Sequence, residues 1–370
     1  MRPRIRNGGP RSELSQALYR TVWAPWSDRA MSTLTTALCR RLGIDVPVVQ
    51  APIGSATTPE LVAAVANAGG LGMLSLTWAP PGAVRERVRQ IRKLTDRVFG
   101  INLVLDFPID DRLAVCLDEG VPIVSTFWGD PGTVNERIHA AGAVHLHSVG
   151  SAAEARRAVD AGVDVVVAQG WEAGGHVCGH VATLPLVPAV VDAVAPVAVI
   201  AAGGIADGRG LAAVLALGAQ AGWLGTRFLT AAEANTHPVY RQQVIAATGE
   251  DAVHTLCFDG GWPAAAHRAI RNSTLTTWEG AGRPSASDRP GDGDVVATDA
   301  AGRRYLRYEA SMPLSGMSGD VAAMALYAGQ SAGLVGQSAG LVGDVVPAAE
   351  IVASIAEEAT KILSALASRR

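Results

Sequence analysis

Apolar positions along the chain follow a regular beat. Short, buried-looking runs alternate with longer amphipathic ones from about residue 47 to residue 235, and Val165–Ala168 and Val197–Ala202 are continuously apolar. The strand-like runs are 47–51, 71–76, 99–105, 123–127, 144–149, 164–169, 197–202 and 222–226. Unbroken apolar character is what a parallel strand covered on both faces requires. The runs between them repeat their apolar residues at helical spacing. Punctuation agrees with this reading. Thr58-Pro59-Glu60 sets a capping hydroxyl before a proline suited to the first helical position. Ser151 and Glu154 form a capping box, and Asp207 precedes a helix carrying Leu211, Val214 and Leu215. Gly69, Gly120, Gly142, Gly162 and Gly218 stand where helices end.

Eight strands alternating with helices predict a parallel α/β sheet. A closed barrel and an open doubly wound sheet both fit, and the count of eight favours the barrel. A dinucleotide fold would place a GxGxxG turn after the first strand. The nearest approach, Gly69-Gly70-Leu71-Gly72, precedes a strand instead.

Composition narrows the function classes. Of 370 residues, 49% are hydrophobic and 18% charged, enough for a large core. A net charge of −3 offers no basic field, so no nucleic-acid partner is expected. The longest apolar stretch, 184–202, is broken by Pro185, Pro188, Asp192 and Pro196, so no membrane span is expected. Four cysteines without CxxC spacing suit a reducing, cytoplasmic setting. Residues 1–30 carry six arginines and no sustained periodicity, and are expected to be a disordered arm outside the fold. A core over 31–249 is followed by a smaller second domain over 250–345, in which 262–271 has a helical look. Residues 346–370 form a final amphipathic helix with Ile351, Ile355, Ile362 and Leu366 on one face.

In an eight-stranded α/β barrel, chemistry collects at the C-terminal ends of the strands. Two of those ends here are glycine-rich: Gly203-Gly204 after strand seven, and Gly225-Thr226 after strand eight. Bare backbone N–H groups followed by helix N-termini predict a phosphate site. Gly174-Gly175-His176 lets backbone lie against a flat ligand and holds a histidine, the natural proton acceptor near neutral pH. His145 and His147 share one face of their strand; packing is the plainer expectation for them. Glu172 reads as an anchor of its turn. His176, Cys178 and His180 lack zinc-site spacing, so no metal is expected. Arg303, Arg304 and Arg307, near Tyr305 and Tyr308, read as a solvated face.

Six strings, in order, resemble the nitronate monooxygenase family and its flavin-dependent reductase relatives. They are Gln50-Ala51-Pro52-Ile53, Gly100-Ile101-Asn102-Leu103, Gln169-Gly170-Trp171-Glu172-Ala173-Gly174-Gly175-His176, Ala201-Ala202-Gly203-Gly204-Ile205, Gly225-Thr226-Arg227-Phe228 and Tyr327-Ala328-Gly329-Gln330-Ser331. The resemblance implies an FMN-binding TIM barrel, (β/α)8, with a smaller, mostly helical second domain. It implies that Ala51, Pro52, Ile53, Asn102, Gln169, Gly174 and Gly175 meet the flavin ring region. Gly203, Gly204, Gly225 and Thr226 would hold the FMN phosphate, with Trp223 and Leu224 beside them, and His176 falls on the active-site histidine. The implied reaction takes a nitronate or nitroalkane and O2 to a carbonyl compound and nitrite. The alternatives are an NAD(P)H-driven reductase of enoyl thioesters or quinones, or a flavin-binding protein without turnover; a homodimer is left open.

Three features depart from the pattern, one of them the arm over 1–30. Trp223 stands where many members carry Gln. Gly329–Val335 is repeated immediately as Gly336–Val342, a perfect seven-residue duplication.

Overall fold

A computed structural model of the protein describes residues 34–338 and 345–369. The expected arm over 1–30 lies outside the described residues, as does most of the second heptapeptide copy. After a short helix α1 (Ala37–Leu42) the chain runs β1 (Val48–Gln50), α2 (Pro59–Asn67), β2 (Leu71–Ser75), α3 (Pro81–Leu94), β3 (Gly100–Val104) and α4 (Asp110–Asp118). It continues through β4 (Ile123–Phe127), α5 (Gly132–Ala140), β5 (Val144–Val149), α6 (Ala152–Asp160), β6 (Val165–Gln169) and a two-residue strand β7 (Gly175–His176). Next come α7 (Thr183–Val194), β8 (Ala198–Ala202), α8 (Gly208–Ala216) and β9 (Ala221–Leu224).

The strands β1-β2-β3-β4-β5-β6-β8-β9 close into a barrel, and every neighbouring pair is parallel. All eight expected strands are present, each within one or two residues of its expected bounds. Closure follows from burial. Inward side chains such as Val49, Met73, Leu146, Val167, Ile200 and Trp223 fill the barrel. Outward ones such as Val166, Val199 and Leu224 pack beneath the helices. The strands are thus covered on both faces, as β6 and β8 show most plainly.

The caps form as their residue types dictate. Thr58 accepts from the Leu61 N–H, Ser151 from the Glu154 N–H and Asp207 from the Gly210 N–H. The Glu154 carboxylate returns to the Gly150 N–H at 2.7 Å, one residue earlier than a strict capping box would place it. The last helix, α12 (Ala348–Ala367), lays Ile351, Val352 and Ile355 into the barrel's outer core. Its Glu358 accepts from the Gly208 N–H at 2.7 Å, which ties it to the start of α8. Leu366, expected on the buried face, is 53% exposed because α12 outruns the surface it covers.

Between β9 and α12 lie α9 (Pro238–Ala246), β10 (Ala252–Thr255), β11 (His267–Ile270), α10 (Ser273–Gly280), β12 (Val295–Thr298), β13 (Arg304–Leu306), β14 (Ser318–Gly319) and α11 (Ala332–Ser338). The expectation of a mostly helical segment is corrected here: it mixes five short strands with its helices. In particular 262–271 is a turn followed by strand β11, with all four strand residues buried. Its small and polar side chains hid a strand sandwiched between two others. The sheet order β10-β11-β7 is the consequential feature, because β7 belongs to the barrel loop that carries His176.

Candidate active site

A cavity of about 640 Å³ opens at the C-terminal end of the barrel. Every barrel strand or the turn after it contributes to the wall, from Ala51 and Ser75 round to Gln169, Ala202 and Gly225. The size is that of a site for a cofactor-sized molecule.

His176 sits in the side of this cavity. Its strand partner is His267, whose Nδ1–H donates to the Ala265 carbonyl (3.0 Å), leaving Nε2 to accept from the Phe258 N–H (3.3 Å). Trp262 stacks on the His176 ring at 4.1 Å between centroids and 33° between planes. Tyr327 lies 5.5 Å away. The Nε2 of His176 is buried and has no hydrogen-bond partner. Desolvation, and then the neighbouring His267, pull the pKa of His176 down to about 3. The imidazole is therefore neutral at pH 7.

Gln169 donates through Nε2 to the His176 carbonyl at 3.0 Å, fixing the loop, while its Oε1 is buried without a partner. Asn102 donates to Ser125 Oγ at 2.7 Å and lines the cavity. The Tyr327 hydroxyl is also buried and unpartnered. At the other end, Gly203 and Gly204 have φ of 100° and 73°, left-handed values that favour glycine. Thr226 Oγ1 accepts from the Gly329 N–H at 3.0 Å, which fastens 327–331 to the turn after β9. Gly174 is required for another reason: a Cβ there would stand 2.4 Å from the Gly329 nitrogen. The Glu172 carboxylate accepts from the Thr183 N–H and so caps α7, the anchoring role expected of it.

The structure brings His176, Ala51, Pro52, Ile53, Asn102, Gln169, Gly174, Gly175, Gly203, Gly204, Trp223, Gly225 and Thr226 to one cavity. Leu224 is corrected: strand alternation turns its side chain outward into the helix layer, and only its carbonyl works near the site, accepting from the Ala51 N–H at 2.8 Å. Trp223 faces the cavity with its indole packed into the barrel's inner core.

His145 and His147 are buried between sheet and helix, not in the cavity. Both rings bond Thr126 Oγ1 at 2.8 Å, and His145 also meets Asn135. No group of three or more His, Cys, Asp or Glu among the described residues is arranged to hold a metal.

Sequence reasoning missed an aromatic wall. Trp78, Phe107, Phe127, Trp128 and Trp262 cluster beside His176, with Trp262 at 5.1 Å from Phe107 and 5.0 Å from Trp128. The first four follow β2, β3 and β4, a position that could have marked them. Nothing local marked Trp262, which arrives from the appended segment. No described helix is long and apolar enough to cross a membrane.

Comparison with known proteins agrees with this geometry. A family model described as nitronate monooxygenase matches residues 35–109 and 107–358. A (3aS,4S,5R,7aS)-5-hydroxy-7a-methyl-1-oxo-octahydro-1H-indene-4-carboxyl-CoA dehydrogenase of Rhodococcus jostii (strain RHA1) is 37% identical over 253 residues, 68% of this chain and 70% of that protein. A nitronate monooxygenase of Paraburkholderia phytofirmans (strain DSM 17436 / LMG 22146 / PsJN) is 32% identical, covering 87% of this chain and 94% of that one. Among solved structures, FabK from Thermotoga maritima superposes with a TM-score of 0.73 at 31% identity, over 90% of this chain and 99% of that one.

Proposed function

Because the chain belongs to the nitronate monooxygenase family, we propose that this oxidoreductase uses FMN to oxidise alkyl nitronates, and nitroalkanes made into them, with O2. The observation that carries the reading is the unpartnered, neutral His176 Nε2 in a cavity whose far end is built from glycine turns.

The residues fit a flavin. Gln169 Oε1 and the Tyr327 hydroxyl are buried polar atoms without partners, on residues that line the cavity, and such atoms call for a ligand that bonds them. Gly203, Gly204, Gly225 and Thr226 would hold the phosphate, and Asn102, Gln169, Gly174, Gly175 and 51–53 the ring region. FMN, when bound, supplies electron acceptance from the substrate and delivery to O2.

The protein's own part is proton handling and orientation. His176 Nε2 takes the proton from the carbon bearing the nitro group of a neutral nitroalkane. A substrate that arrives as the nitronate skips this step. Trp262 covers one face of the imidazole, and the β7–β11 pairing holds it at a fixed depth. Overall, nitronate, O2 and water yield carbonyl compound, nitrite and hydrogen peroxide. The carbon–nitrogen bond breaks, the nitronate loses two electrons as it becomes carbonyl compound and nitrite, and O2 gains two.

The cofactor half is tested by denaturing the yellow protein and identifying what is released. FMN is expected. FAD, or protein that stays colourless after FMN is added, overturns it. The chemical half is tested by assaying nitrite from ethylnitronate.

A further inference from the structure

The reading above leaves one wall of the cavity without a task. Trp78, Phe107, Phe127 and Trp262 line it, brought together from four separate segments, and Trp128 packs against Phe127 and Trp262. Trp78 follows β2, Phe107 follows β3, Phe127 ends β4 with Trp128 just after it, and Trp262 comes from the turn before β11. Their rings meet edge to face: Trp78–Phe107 at 5.5 Å, Phe107–Trp262 at 5.1 Å, Trp128–Trp262 at 5.0 Å and Phe127–Trp128 at 5.1 Å. Trp262 in turn stacks on His176, so this wall begins where the proton is taken.

Two observations say that the wall serves a ligand as well as packing. Trp78 is 51% exposed although it lines the cavity, so a large apolar ring is left at the mouth for something to cover. Trp262 is aimed deliberately: its Nε1–H donates to the Asp106 carboxylate at 3.2 Å, across 156 residues of chain. That bond also places a negative charge behind the wall, which disfavours a second anionic group on the substrate there.

We infer that the site selects nitronates whose carbon carries a bulky, uncharged ring system, alicyclic or aromatic, over short-chain nitronates and over those bearing a carboxylate tail. The inference rests on the proposed function for the word nitronate, and on the aromatic wall alone for the ring.

Ligand class and reaction are separable by experiment. A carboxylate is planar and anionic like a nitronate but is not oxidised here, so cyclohexanecarboxylate and propionate serve as probes. Each is titrated into the FMN-loaded full-length protein by calorimetry. Cyclohexanecarboxylate is expected to bind at least tenfold more tightly, as burial of its extra methylenes requires. Trp78→Ala, at a half-exposed position where folding is not at stake, is expected to cut that ratio at least threefold, and Trp262→Ala further. In parallel, kcat/KM for the nitronate of nitrocyclohexane is expected to exceed that for ethylnitronate by a similar factor. Equal binding of the two carboxylates, or a ratio that Trp78→Ala leaves unchanged, overturns the inference whatever the turnover assay gives. Ring-selective binding with turnover of neither nitronate overturns the proposed reaction and leaves the ligand class standing.

Discussion

His176 shows how much a single environment decides. Its pKa is drawn to about 3 chiefly by burial, so it is a neutral acceptor throughout the working pH range and a weak one. Two outcomes follow at the residue scale. His176→Gln is expected to lower kcat/KM for neutral nitroalkanes by about 10²–10⁴-fold, the usual yield of a positioned base. Oxidation of preformed nitronate is expected to fall far less. Equal losses for both would mean that His176 is not the base. The sign of the pH dependence follows too: a base whose pKa lies near 3 stays unprotonated as pH drops from 8 to 5, so nitroalkane kcat/KM is expected to show no acid limb over that range. Gly204 offers the second test. At φ of 73° an added Cβ costs about 1–2 kcal/mol, and here it also meets Glu172 Cγ at 3.1 Å. Gly204→Ala is expected to weaken FMN retention at least tenfold by displacing the turn, read as the free FMN that passes a desalting column. Unchanged retention would remove this turn from the phosphate site.

At the scale of elements, the packing of β4 and β5 against α5 makes a pH-sensitive seam. Burial lowers the pKa of His145 to about 3 and of His147 to about 4. In the unfolded chain both would take up protons as pH falls through about 6.5. The unfolded state thus binds more protons between about pH 6.5 and 4, so stability is lost as pH falls across that window. Thermal melts from pH 7.5 to 5 are expected to show a falling Tm, and His147→Gln to flatten the slope; a Tm independent of pH would contradict this. Thr126 serves both rings through one hydroxyl. Thr126→Val is expected to cost about 1–3 kcal/mol in denaturant unfolding, because it strands buried imidazole nitrogens. This seam was visible in the sequence only as two histidines one residue apart. Their outward direction depends on where Leu146 points, and only the closed barrel determines that.

At the scale of the whole molecule, what was legible and what was not divide by range. The barrel could be read because each strand and cap is a local pattern: Val165–Ala168 is apolar throughout, and Thr58-Pro59 caps without help from elsewhere. The glycine turns and His176 could be picked out as candidates because a barrel places chemistry at strand ends, and they line one cavity. The aromatic wall could not, since Trp262 meets Asp106 and His176 only through the β7–β11 pairing. Strand β11 itself went unseen, because a four-residue stretch of His, Arg, Ala and Ile becomes a strand only when two neighbours supply its hydrogen bonds. Leu224, expected beside the phosphate site with Trp223, cannot share its neighbour's face because side chains alternate along a strand. A fold does not fix a function, and the sequence resemblance leaves an NAD(P)H-driven reductase open as the alternative. The deciding measurement is oxygen uptake by the FMN-loaded protein with ethylnitronate, and with NADH in a parallel cell. Uptake with nitronate, nitrite equal to the substrate consumed and no loss of NADH is the predicted result. Anaerobic bleaching of the flavin by NADH, with no response to nitronate, would contradict the account and assign the site to reduction.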